Sequence, residues 1–588
     1  MFDLLSGNEA LARGAWEAGV TFASGYPGTP STEILESLVT YKEPGLYAEW
    51  APNEKVALEV AAGAALSGAR CLVTMKHVGL NVAADPLMTL AYTGVVGGMV
   101  IVVADDPGMH SSQNEQDSRH WCRFGKLPML EPSSSQEACD FVACGLELSE
   151  KHRTPVLIRS NTRISHSRGM VQLGSRQVPD RVIGFEKNPK QFVPVPAFAR
   201  GMRVRLEDRI AGLRQEAETT ELNPIEWRDR QLGIVTGSIS YEYVREVFPD
   251  ASTLKLGLSW PYPDDRIREF AAGVEKLLVV EELDDLLEEH IRALGIECVG
   301  RELVPGIGEL TPNRLEAVKA KLEGQPVPEV NPVPEAADLP ARPPVLCAGC
   351  PHRGMFAALR EFDVVVTGDI GCYALGVQPP LARLDTILCM GAGFSMAHGM
   401  QKAGDRRKIV GMLGDSTFFH SGITGMLDMA YNRGASVLIV VDNRTTAMTG
   451  HQDHPGTGQT LLGEPTAEVS IEAVAKACGV DRVRTLDPRD LEATVAALKE
   501  ELEADAPSLI VSRSPCVLAD RSVWETPRQI DEQACIACGE CVSLGCPAIE
   551  NRGGYPHIDP TMCTGCSLCE EACYLNLITT PQDEGLAV

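Results

Sequence analysis

Residues 414–443 read GDSTFFHSGITGMLDMAYNRGASVLIVVDN. The apolar run Ile409 to Leu413 leads into them and reads as a buried strand. Gly414-Asp415-Ser416 then turns the backbone into a helical stretch, and a second apolar run, Ser436 to Val441, ends at Asp442-Asn443. Strand, turn, helix and strand make a βαβ unit, whose polar strand ends fall at the carboxyl edge of a parallel sheet. Asp415 and Asn443 are therefore expected to converge on one hard cation. An Asp carboxylate, an Asn carbonyl and a backbone carbonyl leave room there for phosphate oxygens and water. Alone, the stretch reads equally as an ordinary βαβ unit with polar strand ends.

The rest of the chain decides between these. Its 588 residues are too many for one core, so several domains are expected. A net charge of −27 argues against a nucleic-acid partner. No apolar run is long enough to span a bilayer. The opening MFDLLSGNEALARGAW lacks a basic start and a cleavable apolar segment, so a cytoplasmic location is expected. Nineteen cysteines in that setting point to metal or cluster ligation rather than disulfides.

The segment opening at Gly414 resembles the thiamine diphosphate motif, Gly-Asp-Gly followed by Asn somewhat under thirty residues later, with Ser416 in place of the second Gly. That resemblance implies Mg2+ on Asp415, Asn443 and the Thr445 carbonyl. It also directs attention to Asn53 to Arg70, NEKVALEVAAGAALSGAR, which reads as a closely packed helix with Glu59 inside a small-residue face. In thiamine enzymes such a Glu hydrogen-bonds N1′ of the aminopyrimidine. The spacing from Glu59 to Gly68 favours Glu59 over Glu54 for this role. Upstream, Gly25-Tyr26-Pro27-Gly28-Thr29-Pro30-Ser31 is a tight turn after a strand, with Ser31 or Thr32 placed to cap a helix and Thr29 free to meet a carboxylate. Lys76, His77 and Asn81 follow the strand Cys71 to Met75, where they would line a pocket for a 2-oxo acid. The polar loop Asp105 to Arg119 follows another buried strand, a placement that is usually functional.

Gln325 to Pro344 carries seven prolines and reads as a stiff linker. Beyond it come Cys347-Ala348-Gly349-Cys350-Pro351-His352, Gly368-Asp369-Ile370-Gly371-Cys372-Tyr373 at a strand end, and a diphosphate-facing glycine turn at Gly391 and Gly393. In the tail, Cys535, Cys538, Cys541 and Cys546 are followed by Pro547, and Cys563, Cys566, Cys569 and Cys573 repeat the spacing. This is a two-cluster ferredoxin pattern, in which the fourth Cys of each run ligates the other cluster. Cys573 then completes the set Cys535, Cys538, Cys541, and Cys546 the set Cys563, Cys566, Cys569. Four residues rather than three separate Cys541 from Cys546, and Tyr574 replaces the second Pro. An eight-Cys zinc pair is the competing reading.

Thiamine supplies an electron sink for a 2-oxo acid losing CO2, and iron–sulfur clusters accept electrons singly. Together they point to oxidative decarboxylation. YPGTPSTEI (26–34), KHVGLN (76–81), CAGCPH (347–352), GDIGCY (368–373) and DNRTTAMTGHQ (442–452) resemble the large α subunit of the indolepyruvate ferredoxin oxidoreductase family over nearly the full chain. The resemblance implies oxidation of aryl pyruvates with coenzyme A to aryl-acetyl-CoA and CO2, ferredoxin as acceptor, and a smaller β subunit in an α2β2 heterotetramer. It implies three doubly wound parallel α/β modules and a small ferredoxin domain. These are a pyrimidine-binding module at 1–170, a connecting segment at 171–230, a transketolase C-terminal-like module at 231–325, the linker at 326–344, a diphosphate-binding module at 345–522 and the ferredoxin domain at 523–588. His352, Gly368, Asp369, Cys372, Gly391, Gly393, Gly414, Asp415, Ser416 and Asn443 would contact the cofactor, and Thr29, Lys76, His77 and Asn81 the substrate. Related enzymes carry a proximal [4Fe-4S] cluster on a close Cys pair, a third Cys shortly after and a distant fourth, an order that Cys347, Cys350, Cys372 and Cys516 repeat. A non-oxidative thiamine decarboxylase and an electron-transfer subunit with a degenerate thiamine site are the alternatives.

Overall fold

Long runs of Val, Ile, Leu and Ala that alternate with amphipathic helices build parallel sheets covered on both faces. The computed structural model describes residues 1–180, 183–327 and 343–581. The linker at 326–344 lies almost wholly outside the described residues. Contacts divide the chain into two compact units, residues 1–338 and 339–588.

The first unit holds a seven-stranded sheet in the order Leu258–Trp260, Met129–Leu130, Val156–Asn161, Met99–Asp105, Cys71–Lys76, Phe22–Gly25 and Tyr47–Trp50. Every neighbouring pair is parallel except the edge strand Leu258–Trp260. All side chains of the three strands Cys71–Lys76, Met99–Asp105 and Val156–Asn161 are buried, as their unbroken apolar runs require. A four-stranded sheet, Lys276–Val280, Asp229–Gly237, Ala251–Leu256 and Ile225–Glu226, forms the second module. Between Ala251–Leu256 and Lys276–Val280 the chain adds Leu258–Trp260 to the edge of the first sheet, antiparallel to Met129–Leu130. Three residues before Pro261 carry too little pattern to signal this.

In the second unit, six parallel strands run in the order Thr386–Ile387, Val364–Gly368, Lys408–Gly414, Val437–Asp442, Ser508–Arg513 and Arg482–Leu486. The helical segment from Asp415 to Tyr431 contains a π turn at Phe418–Gly422. The tail folds as two antiparallel ribbons, Gln529–Ile530 with Ile578–Thr579 and Ile549–Arg552 with Tyr555–Ile558.

The two large parallel sheets have the same winding. In each, the first strand lies between the second and the third, so the chain reverses its direction across the sheet. Ligands of open α/β sheets bind in the crevice at such reversals, beyond the carboxyl ends of the strands. In the first unit this edge carries Tyr26 to Ser31 and Lys76 to Asn81; in the second it carries Asp369 and Asp415.

Candidate functional site

In the second unit, Gly414 pairs in register with Val441, so Asp415 and Asp442 emerge side by side. Both carboxylates are buried, as are Asn443 and Thr445. His454 Nδ1 accepts from the Gly456 N–H at 3.1 Å, which leaves its Nε2 to donate to Asp415 Oδ2 at 3.0 Å. Thr445 N–H donates to the same oxygen at 3.2 Å, and Ser416 N–H to Oδ1 at 3.0 Å. Burial works to raise the Asp415 carboxyl, but His454 and these donors bring it below the ordinary range. Burial and then the Asp415 charge push Asp442 up to about 6, even though Arg513 Nε donates to it at 2.6 Å. Two interacting buried carboxylates with one guanidinium are a charge excess that a divalent cation offsets, so this donor set fits Mg2+.

Around this pair, burial pushes the Asp369 carboxyl well up; it accepts from the Tyr373 hydroxyl and, at 2.6 Å, from Gly391 N–H. Gly391 sits at φ +87°, and the amide expected to face a diphosphate is thus taken by Asp369. A Cβ on Gly393 would stand 2.6 Å from the Met412 carbonyl, so the helix Ala392–Lys402 rests directly on the sheet. His352 is buried edge-on to Tyr373, and burial lowers its pKa to about 4 despite the Asp415 charge.

In the first unit, the helix Glu54–Leu66 forms as expected, capped by Asn53, whose side chain accepts from Val56 N–H. It does not bury Glu59. That side chain is 45% exposed and pairs with Lys55 one turn earlier. Glu54 is the buried carboxylate, 5% exposed, on one stripe with Ala57, Leu58, Ala61 and Ala65. It packs so closely that a Cβ on Gly79 would lie 2.6 Å from its Oε1. The placement assigned to Glu59 is therefore corrected: helical periodicity turns Glu54 inward and Glu59 outward.

Ser31 and Thr32 do not cap the helix Thr32–Val39 in the expected way. Ser31 Oγ donates to the Gly28 carbonyl, and Thr32 Oγ1 accepts from Gly28 N–H. Gly28 rests against Lys76, with 3.1 Å from a built Cβ to Lys76 Cβ, which brings the Thr29 turn beside Lys76. Lys76 ends its strand and His77 opens a short helix, and the polar loop after Asp105 folds over both. Lys76 Nζ donates to Ser111 O at 2.7 Å, His77 Nε2 lies 3.3 Å from Asn114 O, and Asn81 Nδ2 donates to Gln116 at 2.9 Å. Asn81 is exposed rather than lining a pocket. Burial lowers Lys76 to about 8 against the pull of Asp106, and lowers His77 despite Asp105.

The cysteines gather into three sets. Cys546, Cys563, Cys566 and Cys569 line one hollow of the tail, and Cys535, Cys538, Cys541 and Cys573 line a second. Each hollow gathers three thiols of one run and the fourth of the other, the crossed membership expected of a two-cluster ferredoxin pattern. In the third set, burial and then Cys516 raise Cys347, burial pushes Cys350 up to about 12 with Cys372 and Cys347 adding to it, and burial, Cys516 and Cys347 push Cys372 up to about 11. Cys347 and Cys350 lie in the turn before the helix His352–Leu359, Cys372 follows the strand Val364–Gly368, and Cys516 follows the strand Ser508–Arg513. Sequence reasoning missed Asp442, His454, Arg513 and Tyr373. The adjacency of Asp442 to Asn443 and of Tyr373 to Cys372 was the signal available for two of them.

A model of the pyruvate flavodoxin/ferredoxin oxidoreductase thiamine-diphosphate-binding region matches residues 13–220. The C-terminal binding domain of thiamine pyrophosphate enzymes matches 369–512, and a 4Fe-4S binding domain matches 556–579. The chain is 43% identical to the indolepyruvate oxidoreductase subunit IorA of Methanothermobacter marburgensis, over 97% of this chain and 96% of that one. It is 40% identical to the IorA subunit of Pyrococcus horikoshii over 97% and 95%. The 2-oxoglutarate synthase subunit KorA of Methanothermobacter thermautotrophicus is 27% identical over 52% of this chain and 94% of its own.

Proposed function

Because the chain belongs to the indolepyruvate oxidoreductase IorA family, and so to the 2-oxoacid:ferredoxin oxidoreductases, we propose that it converts an aryl 2-oxo acid and coenzyme A to aryl-acetyl-CoA. One carboxylate leaves as CO2, one proton is released, and two electrons pass singly through iron–sulfur clusters to two ferredoxins. The observation that carries the oxidative reading is the crossed pair of four-cysteine hollows, on the same chain as the thiamine-type strand ends. The aryl preference rests on the relatives, which are named for indolepyruvate. They are also named as subunits, which supports a small β partner, and an α2β2 assembly is part of this reading. No helix among the described residues is long and apolar enough to cross a membrane.

Thiamine diphosphate, when bound, supplies the electron sink for loss of CO2. Asp415, Asn443 and the Thr445 carbonyl hold Mg2+, with His454 fixing the Asp415 carboxylate. Glu54, rather than Glu59, holds the proton at N1′ of the aminopyrimidine. Thr29, Lys76 and His77 bind the 2-oxo acid, the ammonium of Lys76 taking the carboxylate. Cys347, Cys350, Cys372 and Cys516 hold a third [4Fe-4S] cluster.

The assay is anaerobic dye reduction by the chain with its small subunit: dependence on indolepyruvate and on coenzyme A is expected, and equal activity without coenzyme A refutes the acylating reaction. Iron analysis tests the third cluster. About twelve irons per chain are expected, falling to about eight in Cys347→Ser; eight in the wild type, unchanged in the variant, contradicts it. Lys76 gives a pH signature. Its ammonium is lost as pH rises through about 8, so KM for the 2-oxo acid should climb above that pH while Lys76→Met shows a flat profile. The same climb in the variant would remove Lys76 from the site.

A further inference from the structure

Arg353 is 2% exposed and lies between two of the cysteine sets. Its Nη2 donates to the Leu346 carbonyl and, at 3.2 Å, to the Cys347 carbonyl, in the loop that supplies Cys347 and Cys350. Its Nη1 donates to the Leu544 and Gly545 carbonyls at 2.9 and 2.6 Å, in the turn that supplies Cys546. Arg353 also lines the hollow of Cys546, Cys563, Cys566 and Cys569. Among the described residues no carboxylate pairs with it, whereas Arg528, which lines the same hollow, is held by Glu525 and Glu570. The loop of Cys347 and Cys350 also meets the loop of Cys563 and Cys566: Gly349, at φ +70°, leaves a space that a Cβ would close to 2.0 Å from Thr564 Oγ1.

We propose that Arg353 is a shared positioning residue and counter-charge for two clusters, the one on Cys347, Cys350, Cys372 and Cys516 and the one on Cys546, Cys563, Cys566 and Cys569. This rests on the three-cluster reading above. Reduction adds one negative charge to a cluster already bound by four thiolates. A buried, uncompensated cation beside it stabilises the reduced form and raises the potential, because net charge and burial set cluster potentials. Placed between two clusters, the cation favours both reduced forms and offsets their mutual repulsion. Among the described residues, the lining of the hollow of Cys535, Cys538, Cys541 and Cys573 does not include Arg353.

The test is a redox titration of the anaerobic enzyme with its small subunit, followed by electron paramagnetic resonance, with signals assigned through Cys347→Ser and Cys535→Ser. Arg353→Gln should keep about twelve irons. It should lower two of the three potentials by about a tenfold change in each reduction equilibrium, which is about 59 mV for one electron, and leave the Cys535 set unmoved. Arg353→Lys, which retains the charge and loses the fork, should return both to near wild type. No movement in the glutamine variant, or equal movement of all three clusters, overturns the proposal. If the glutamine variant loses iron, the lysine variant decides: two wild-type potentials support the counter-charge, and a fall in either overturns it. A wild type holding only about eight irons refutes the three-cluster reading instead. The cluster on Cys546 alone then decides, its fall in Arg353→Gln supporting the charge effect and its constancy overturning it.

Discussion

Glu54→Gln is expected to slow proton exchange at C2 of bound thiamine diphosphate by about 10²–10⁴-fold, the range that a positioned acid–base group contributes. Cofactor affinity should stay close to wild type, because the amide preserves shape and loses only the proton acceptor. Glu59→Gln should leave the exchange rate unchanged. Its carboxylate is exposed and paired with Lys55, and an exposed i,i+4 pair contributes only about 0.3–0.5 kcal/mol. Quenched-flow exchange read by nuclear magnetic resonance separates the two. Loss of exchange in the Glu59 variant with full exchange in the Glu54 variant would reverse the assignment.

Asp415→Ala should weaken binding of thiamine diphosphate with Mg2+ by at least about 100-fold, more than the roughly 10–100-fold typical of a lost outer partner. Excess Mg2+ should restore part of it. The variant removes a carboxylate that three donors aim, and leaves Asp442 as the nearest anion. His454→Gln should cost less, since the amide can still donate to Asp415, and His454→Ala more. Calorimetric titration of the cofactor reads all three. An Asp415→Ala affinity equal to wild type would remove this carboxylate from the metal site.

The parallel sheets were legible because buried strands need unbroken apolar runs, and those at Ile409 to Leu413 and Ser436 to Val441 lie within one or two residues of the observed strands. The crossed grouping of the tail cysteines around two hollows was legible because the two runs repeat one short spacing pattern with a single-residue difference. The buried face of the helix after Asn53 was not, since Ala and Gly on every side leave no contrast between faces. The spacing of Glu54, Ala57, Leu58, Ala61 and Ala65 was the available signal, with steps of three and four that Glu59 does not join. Arg353, His454 and Arg513 escaped notice for another reason. Each acts through partners distant in sequence, such as the 192 residues between Arg353 and Gly545, and no local pattern encodes such a contact. Edge strands as short as Leu258–Trp260 and Thr386–Ile387 fall below the length at which alternation is visible.

In the proposed reaction, loss of CO2 is coupled to one-electron reduction of the clusters. Anaerobic, oxidised enzyme with its small subunit is mixed with carboxyl-labelled indolepyruvate and coenzyme A in the absence of ferredoxin, then frozen for electron paramagnetic resonance while labelled CO2 is counted. The account predicts reduced-cluster signals that rise with CO2 at two electrons per molecule released, with aryl-acetyl-CoA as the organic product. Labelled CO2 released alongside free aldehyde, with the clusters still oxidised, would contradict it and identify a non-oxidative decarboxylase.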